Sequence, residues 1–248
     1  YRFMDSDKVS HEKLIAAQVI KSKERLAEHK VILAIQDSMT ITLDRNYEIE
    51  GLYNVGGRKS NSADGILIHN TISVIPYDNY GIIDGLLHQI IHKRKLKEER
   101  NEDNNDSILW TKSIEAVGIA PQNTNVIDVM DRGADMIIVM NSSREHNHEF
   151  IIRAKHNRCM DGKNSDNLFD FTKKLPTAGR MLLEIQANKG RKKRIAKLNV
   201  SFSKISLPQT TDKDNNQPIN CSIVHVFETD CADDQEPLEW FILTSLDV

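Results

Sequence analysis

The sequence has little that would mark a secreted, membrane-spanning or disulfide-stabilised protein. Its three cysteines show no Cys-x-x-Cys spacing, which argues against a disulfide framework and a structural zinc site. No apolar run approaches the roughly 18 residues that a membrane span requires. The first five residues lack the layout of a signal peptide. These absences predict a soluble protein of the reducing cytoplasm that does not associate with membranes.

The chain also lacks an excess of positive charge. Lys and Arg number 33 and Asp and Glu number 36, for a formal net charge of -3. A surface that binds nucleic acid would therefore have to be a local patch. The 248 residues suffice for one large domain, or for one domain with a sizeable insertion. Because the first residue is Tyr1 rather than Met, we expect the chain to be a piece of a longer protein.

Apolar and β-branched runs predict an α/β core followed by a β-rich part. The predicted core strands are 31–37, 66–75, 81–91, 125–130 and 149–156, where 66–75 and 81–91 form a hairpin through the turn 76–80. Helices are predicted at 10–29, 107–117 and about 134–140. After about residue 157 a short helix (167–175) precedes four further strands at 181–187, 194–207, 219–228 and 238–246.

Two of the core strands lead into an aspartate, Asp37 after 31–36 and Asp131 after 125–130. A buried carboxylate is costly unless it is paired or binds a metal. The matching contexts favour a divalent-metal site, and carboxylate oxygens select Mg²⁺ or Mn²⁺. The alternative is that both acids are helix N-caps or turn residues, as Asp often is after a strand. Asp135 is expected to cap the next helix or to pair with Arg132.

The order β-β-β-α-β-α-β matches a ribonuclease-H-like architecture, a mixed five-stranded sheet with helices. Its first strand runs beside the fourth, which would bring Asp37 and Asp131 together. Two metal ions held there could clamp the attacking and leaving oxygens of an in-line displacement at phosphorus. A closed two-metal site usually needs a third carboxylate, and the chain offers no convincing candidate.

At these residues the sequence resembles the DDE insertion-sequence transposases of the bacterial transposon-five-like branch. Six short segments match in the family's order across essentially the whole chain. Any one of them is weak, and together they are specific. They are Tyr1-Arg-Phe, Leu33-Ala-Ile-Gln-Asp37-Ser, Gly85-Leu-Leu-His-Gln89, Val129-Met-Asp-Arg-Gly-Ala-Asp135, Phe150-Ile-Ile-Arg-Ala-Lys-His156 and Pro237-Leu-Glu-Trp-Phe-Ile-Leu-Thr-Ser245.

The resemblance implies a ribonuclease-H-like core (31–157), a lead-in helix and linker (1–30) from a missing N-terminal DNA-binding domain, and a β-rich insertion (158–248). It makes Asp37 the first catalytic acid and Asp131 the second. The third would be a Glu on a helix beyond Val248. A residue that departs from the family is Met39, where the family tends to have a small hydroxyl residue.

The resemblance also implies partners. Arg153 matches a family base that contacts the DNA backbone near the active site, with Lys155 and Arg158 as weaker companions. A solvated strand face is the other interpretation of all three. The expected partner is double-stranded DNA, both transposon ends and target, bound by a homodimer in the bacterial cytoplasm at the nucleoid. Residues 54–59, which contain Gly56 and Gly57, and the charged run 92–106 are weaker candidates for phosphate or DNA contact.

Three functions follow as hypotheses. The first is the catalytic core of a cut-and-paste DNA transposase, in which metal-activated water cuts at the transposon end and the freed 3′ hydroxyl attacks target DNA. The second is a catalytically inactive remnant that only binds DNA or assembles on it. The third, another ribonuclease-H-like nuclease such as a resolvase or exonuclease, is disfavoured by the β-rich insertion.

Overall fold

In a computed structural model of the protein, the described residues are 3, 6–42, 52–54, 64–78, 80–92, 108–160, 167–188, 192–208, 218–232 and 235–248. They fall into two compact units. Unit 1 comprises Tyr1–Met130 and Ser142–Glu149, and unit 2 comprises Asp131–Asn141 and Phe150–Val248. Residues 55–59 and 93–106, the weaker candidates for phosphate or DNA contact, lie outside the described residues.

Unit 1 is a mixed sheet with helices. Its elements are α1 (His11–Leu26), β1 (Val31–Thr42), β2 (Tyr53–Asn54), β3 (Asp64–Pro76), β4 (Gly81–His92), α2 (Ile108–Val117) and β5 (Asn125–Met130). β1 pairs antiparallel with β3 and parallel with β5. β2 and β4 also pair with β3, which confirms the predicted hairpin of 66–75 and 81–91. The predicted strand 125–130 is observed as β5.

Helix α1 begins where its sequence predicts. The Ser10 hydroxyl accepts a hydrogen bond from the Lys13 backbone N–H at 3.3 Å, which satisfies a donor that the first turn leaves unpaired. The helix ends at Leu26, three residues before the predicted 29. Leu26 then packs into a core that includes Ile32 and Ala34 of β1, Leu87 of β4 and Val126 of β5.

Strand β1 differs from its prediction, because it does not end at Asp37 but continues to Thr42. Parallel pairing with β5 stops at Ile35 opposite Val129, whereas antiparallel pairing with β3 continues to Thr42 opposite Gly65. Beyond Ile35, the backbone of β1 thus stays hydrogen-bonded on the side that faces β3 after its pairing with β5 has ended. Asp37 marks the point at which β1 leaves the core for solvent.

Unit 2 begins with a 3₁₀ helix (Arg132–Ala134), and α3 (Ile137–Glu145) has residues in both units. Then follow β6 (Glu149–Arg153), α4 (Leu168–Lys173), β7 (Gly179–Ile185), β8 (Arg194–Leu207), β9 (Ile219–Thr229) and β10 (Glu239–Thr244). The strands β6 to β10 pair antiparallel with one another, in the order β6-β10-β9-β8-β7.

The predicted α/β class is observed, but the predicted five-stranded sheet is too small. The described residues form ten strands. The reason is local: β10 pairs with β6, so the strand predicted as the fifth of the core shares a sheet with strands predicted for the insertion. Of the helices that the structure describes, none is long and apolar enough to cross a membrane.

Candidate nucleic-acid interface

Asp37 lies on β1 with its side chain exposed to solvent. Its Oδ1 accepts a hydrogen bond from the Ser38 backbone N–H at 2.8 Å, and its partner across the sheet is Asn70. The sequence argument treated this carboxylate as buried, and that premise is wrong. An exposed carboxylate keeps its hydration and needs no compensating charge, so its presence alone does not require a metal.

Asp131 is also exposed, and it caps the 3₁₀ helix that follows β5. Its Oδ1 accepts from the Gly133 backbone N–H at 2.6 Å. The N-cap interpretation therefore describes a contact that this side chain makes. Such a cap occupies one carboxylate oxygen, while the chemistry of the other still suits a hard cation.

Across the described residues, no group of three or more His, Cys, Asp or Glu side chains is arranged to hold a metal ion. The assignment of Asp37 and Asp131 as metal ligands for Mg²⁺ or Mn²⁺ stays a prediction.

Arg153, the last residue of β6, lies close to Arg132 and Asp131. Burial lowers the pKa of the Arg153 guanidinium, the positive charge of Arg132 lowers that pKa further, and Asp131 raises it. In the part of the chain that the structure describes, neither arginine side chain has a hydrogen bond or ion pair. Two guanidinium groups without a hydrogen bond or ion pair among the described residues thus lie beside an exposed carboxylate, which offsets part of their charge.

Arg132 escaped the sequence analysis as a DNA-binding candidate, because it was considered only as a partner for Asp135. Its position directly after an acid at a strand end was the available signal. The structure gives Asp135 a different partner. The buried Asp135 carboxylate accepts from the backbone N–H groups of Lys155 (2.6 Å) and His156 (2.9 Å) and from the Arg158 guanidinium.

These contacts separate the three predicted DNA-binding residues. The Arg158 side chain is only 17% exposed and its charge is matched by Asp135, so it helps to fix the segment after β6. The Lys155 side chain is exposed, and the described residues give it no ion pair. Arg153 is half-buried beside Arg132. DNA contact by any of the three remains a prediction, and geometry favours Arg153.

Arg132 and Arg153 line an open cleft of about 890 Å³ in unit 2. A third arginine, Arg194, lines it as well, but its guanidinium makes two bonds to Glu228, at 2.9 Å and 2.7 Å. This contact holds the pKa of the Glu228 carboxyl below its usual range. Arg194 is therefore neutralised, and the free positive charge among the arginines of the cleft belongs to Arg132 and Arg153.

An acid that the sequence analysis passed over is Asp128, in the middle of β5. It is fully buried and accepts hydrogen bonds from the Ser143 hydroxyl (2.8 Å) and from a side chain of β1, Gln36, at 3.5 Å. The available signal was an acid between apolar residues of a core strand. Such a residue must be paired or hydrogen-bonded to be stable there.

No protein-family model matches the chain. Among solved structures, the chain is similar to piggyBac transposase in a synaptic complex with hairpin DNA, with a TM-score of 0.39 and 9% sequence identity. The match covers 98% of this chain and 41% of that one, so this chain spans less than half the length of the transposase. Similarity at this level does not assign the chain to a family.

Proposed function

We propose that the chain is the catalytic core of a DNA transposase with a ribonuclease-H-like fold, which cuts DNA at transposon ends and transfers the freed strand. The observation that carries the proposal is the unpaired Arg132–Arg153 guanidinium pair beside the exposed Asp131 carboxylate. Cations next to a potential metal ligand suit a phosphodiester, whose negative charge they neutralise while the metal acts at phosphorus.

Asp37 and Asp131 are the proposed ligands of Mg²⁺ or Mn²⁺. What supports their pairing is the parallel register of β1 and β5, in which Ile35 lies opposite Val129. Each aspartate stands two residues after one member of that pair. Bound ions would supply a deprotonated water and stabilise charge on the phosphate. Arg153 and Arg132 would hold the DNA backbone.

The test is Mg²⁺-dependent cleavage of transposon-end DNA by a full-length protein that contains this chain. We expect Asp37→Asn and Asp131→Asn each to abolish cleavage without weakening DNA binding in the absence of metal, because each removes a ligand charge. Asp247→Asn is the matched control, since its carboxylate is 97% exposed and its ion pair with Lys204 lies at the surface. Full cleavage by either ligand variant would refute the metal-site assignment.

The second candidate is a remnant that binds DNA but does not cut it. The lack of a three-ligand group among the described residues favours it, as does the capping role of Asp131. It predicts DNA binding that depends on Arg132 and Arg153 with no metal-dependent cleavage by the full-length protein. Assembly as a homodimer on two DNA ends at the nucleoid is part of the first proposal, and assembly on DNA is compatible with the second as well.

A further inference from the structure

A chain of polar side chains crosses unit 1 from a buried acid to the exposed part of β1. It starts at Asp128 on β5, passes through Gln36 on β1 and His69 on β3, and ends at Ser38. Asp128, Gln36 and His69 are all at most 2% exposed, whereas Ser38 is exposed. The successive contacts are 3.5 Å, 3.3 Å and 2.7 Å long.

The buried end of this chain is held by other groups. Asp128 Oδ2 contacts the Ser143 hydroxyl at 2.8 Å and His148 Nδ1 at 3.0 Å. His148 Nε2 lies 3.0 Å from the Gly118 carbonyl oxygen, which can only accept, so that nitrogen carries a proton. The other carboxylate oxygen of Asp128 is left to accept from Gln36.

The donor and the acceptor in each hydrogen bond of this series of side chains follow from Asp128. Because its oxygen accepts, Gln36 must turn its amide N–H₂ to Asp128 and its carbonyl to His69. His69 Nε2 must then donate. In a neutral imidazole the other nitrogen, Nδ1, is an acceptor, and it receives the Ser38 hydroxyl proton. Trp110 packs edge-on against the His69 ring at 4.7 Å and restrains its orientation.

The Ser38 side chain is hydrogen-bonded to His69 just beyond the point where β1 stops pairing with β5. Parallel pairing with β5 has ended at Ile35, so among the strands that the structure describes only β3 still pairs with β1 there. The backbone N–H of Ser38 donates to Asp37 Oδ1, and successive side chains of a strand lie on opposite faces of the sheet. A fixed Ser38 side chain on one face thus fixes the donor that orients the Asp37 carboxylate on the other.

We infer that Asp128, Gln36 and His69 are positioning residues for Asp37, acting through Ser38. The inference rests on the proposed function in one respect, that Asp37 is a metal ligand. The hydrogen-bond relay itself does not depend on any activity. The relay and the role of Asp37 are therefore tested by separate measurements.

The relay is tested by the nitrogen-15 shifts of the His69 ring in the intact chain. We expect a protonated Nε2 and an unprotonated Nδ1 in the wild type, and a mixture of tautomers in Gln36→Met, which lacks the carbonyl. His88, whose Nδ1 contacts Ser113 Oγ at 3.2 Å, is the internal control and should not change. A proton on Nδ1 in the wild type overturns the relay even if the variant does not fold.

The positioning role is tested in the cleavage assay of the full-length protein. We expect Ser38→Ala to lower kcat about tenfold with KM for DNA unchanged, since small misplacements of a reacting group reduce rates by such factors. Ser38→Thr retains the hydroxyl and should restore the rate. The matched control is Ser113→Ala, which removes another histidine-bonded hydroxyl of unit 1 and should leave kcat unchanged.

The two failures are distinguishable. If Asp37→Asn retains full activity, the proposed metal site is wrong while the tautomer result stands on its own. If Asp37→Asn is inactive but Ser38→Ala retains wild-type kcat, the positioning role is wrong and the proposed function survives.

Discussion

At the scale of single residues, the acids divide into two kinds that the sequence does not separate. Asp37 and Asp131, which the strand pattern singled out, are exposed, and each accepts a hydrogen bond from a nearby backbone N–H. Asp128, which it passed over, and Asp135, which it expected to cap a helix or pair with Arg132, are buried and tie distant segments together. A short pattern shows that an acid follows a strand, but burial depends on what packs over it. The exposed pair remains available for ligands, and the buried pair serves the fold.

The Asp135–Arg158 pair gives a test of this division. Arg158→Met should reduce the free energy of unfolding by about 3 kcal/mol, because it leaves a buried carboxylate without its cation. The measurement is urea denaturation of the chain. Lys155→Met is the control, since the Lys155 side chain is exposed, and it should leave stability within about 0.5 kcal/mol of wild type. If the Arg158 variant kept wild-type stability, the ion pair with Asp135 would not be the main role of Arg158, and DNA contact would again be its favoured role.

At the scale of secondary structure, periodicity located nearly every helix and strand of the described chain to within a few residues. The errors concern where an element begins or ends, and the larger one arises where a strand that is distant in the sequence sets that end. The polar residues that follow Asp37 indicate a turn, yet β3 continues to pair with them and extends β1 to Thr42. Helix α3 begins at Ile137 rather than near Ala134, because Asp131 caps a separate 3₁₀ helix first. The pairing with β3 is not visible in a local window, whereas the cap by Asp131 is a local contact with Gly133 that the sequence argument kept only as an alternative.

The packing of α1 on β4 depends on such a non-local contact. A Cβ built on Gly85 would lie 2.1 Å from Ser22 Oγ and 3.0 Å from Ser22 Cβ. We expect Gly85→Ala to lower the free energy of unfolding by about 1–3 kcal/mol through overpacking, as measured by urea denaturation. Combining it with Ser22→Ala removes the nearer clash and should recover part of the loss.

Gly179 of β7 is the matched control for this substitution. A Cβ built there meets nothing within 4 Å. Gly179→Ala should therefore leave the free energy of unfolding unchanged or raise it slightly, because alanine restricts the unfolded chain. If Gly85→Ala were equally harmless, α1 would not pack against β4 as closely as the structure shows.

At the scale of the whole molecule, charge limits how the chain can bind DNA. A net charge of -3 gives no general attraction to phosphate, so binding must depend on where unpaired cations lie. The sequence requires any DNA-binding surface to be a local patch and suggests Arg153, Lys155 and Arg158 for it, but it does not show which of these cations are paired. Which arginines are neutralised depends on partners far away in the chain: Arg158 is matched by Asp135 and Arg194 by Glu228. In the cleft, Arg132 and Arg153 are left.

This local charge predicts how salt should affect DNA binding. Each phosphate contact that is lost reduces the slope of log K against log salt by about 0.9 for duplex DNA. We expect Arg132→Gln and Arg153→Gln each to weaken binding and to flatten that slope by about this amount, and the double variant by about twice as much, in titrations at several salt concentrations. Lys204→Gln removes the same charge from a lysine that is 79% exposed and does not line the cleft. If Lys204→Gln flattened the slope equally, the effect would come from net charge. Unchanged binding in both arginine variants would exclude the cleft as the DNA interface.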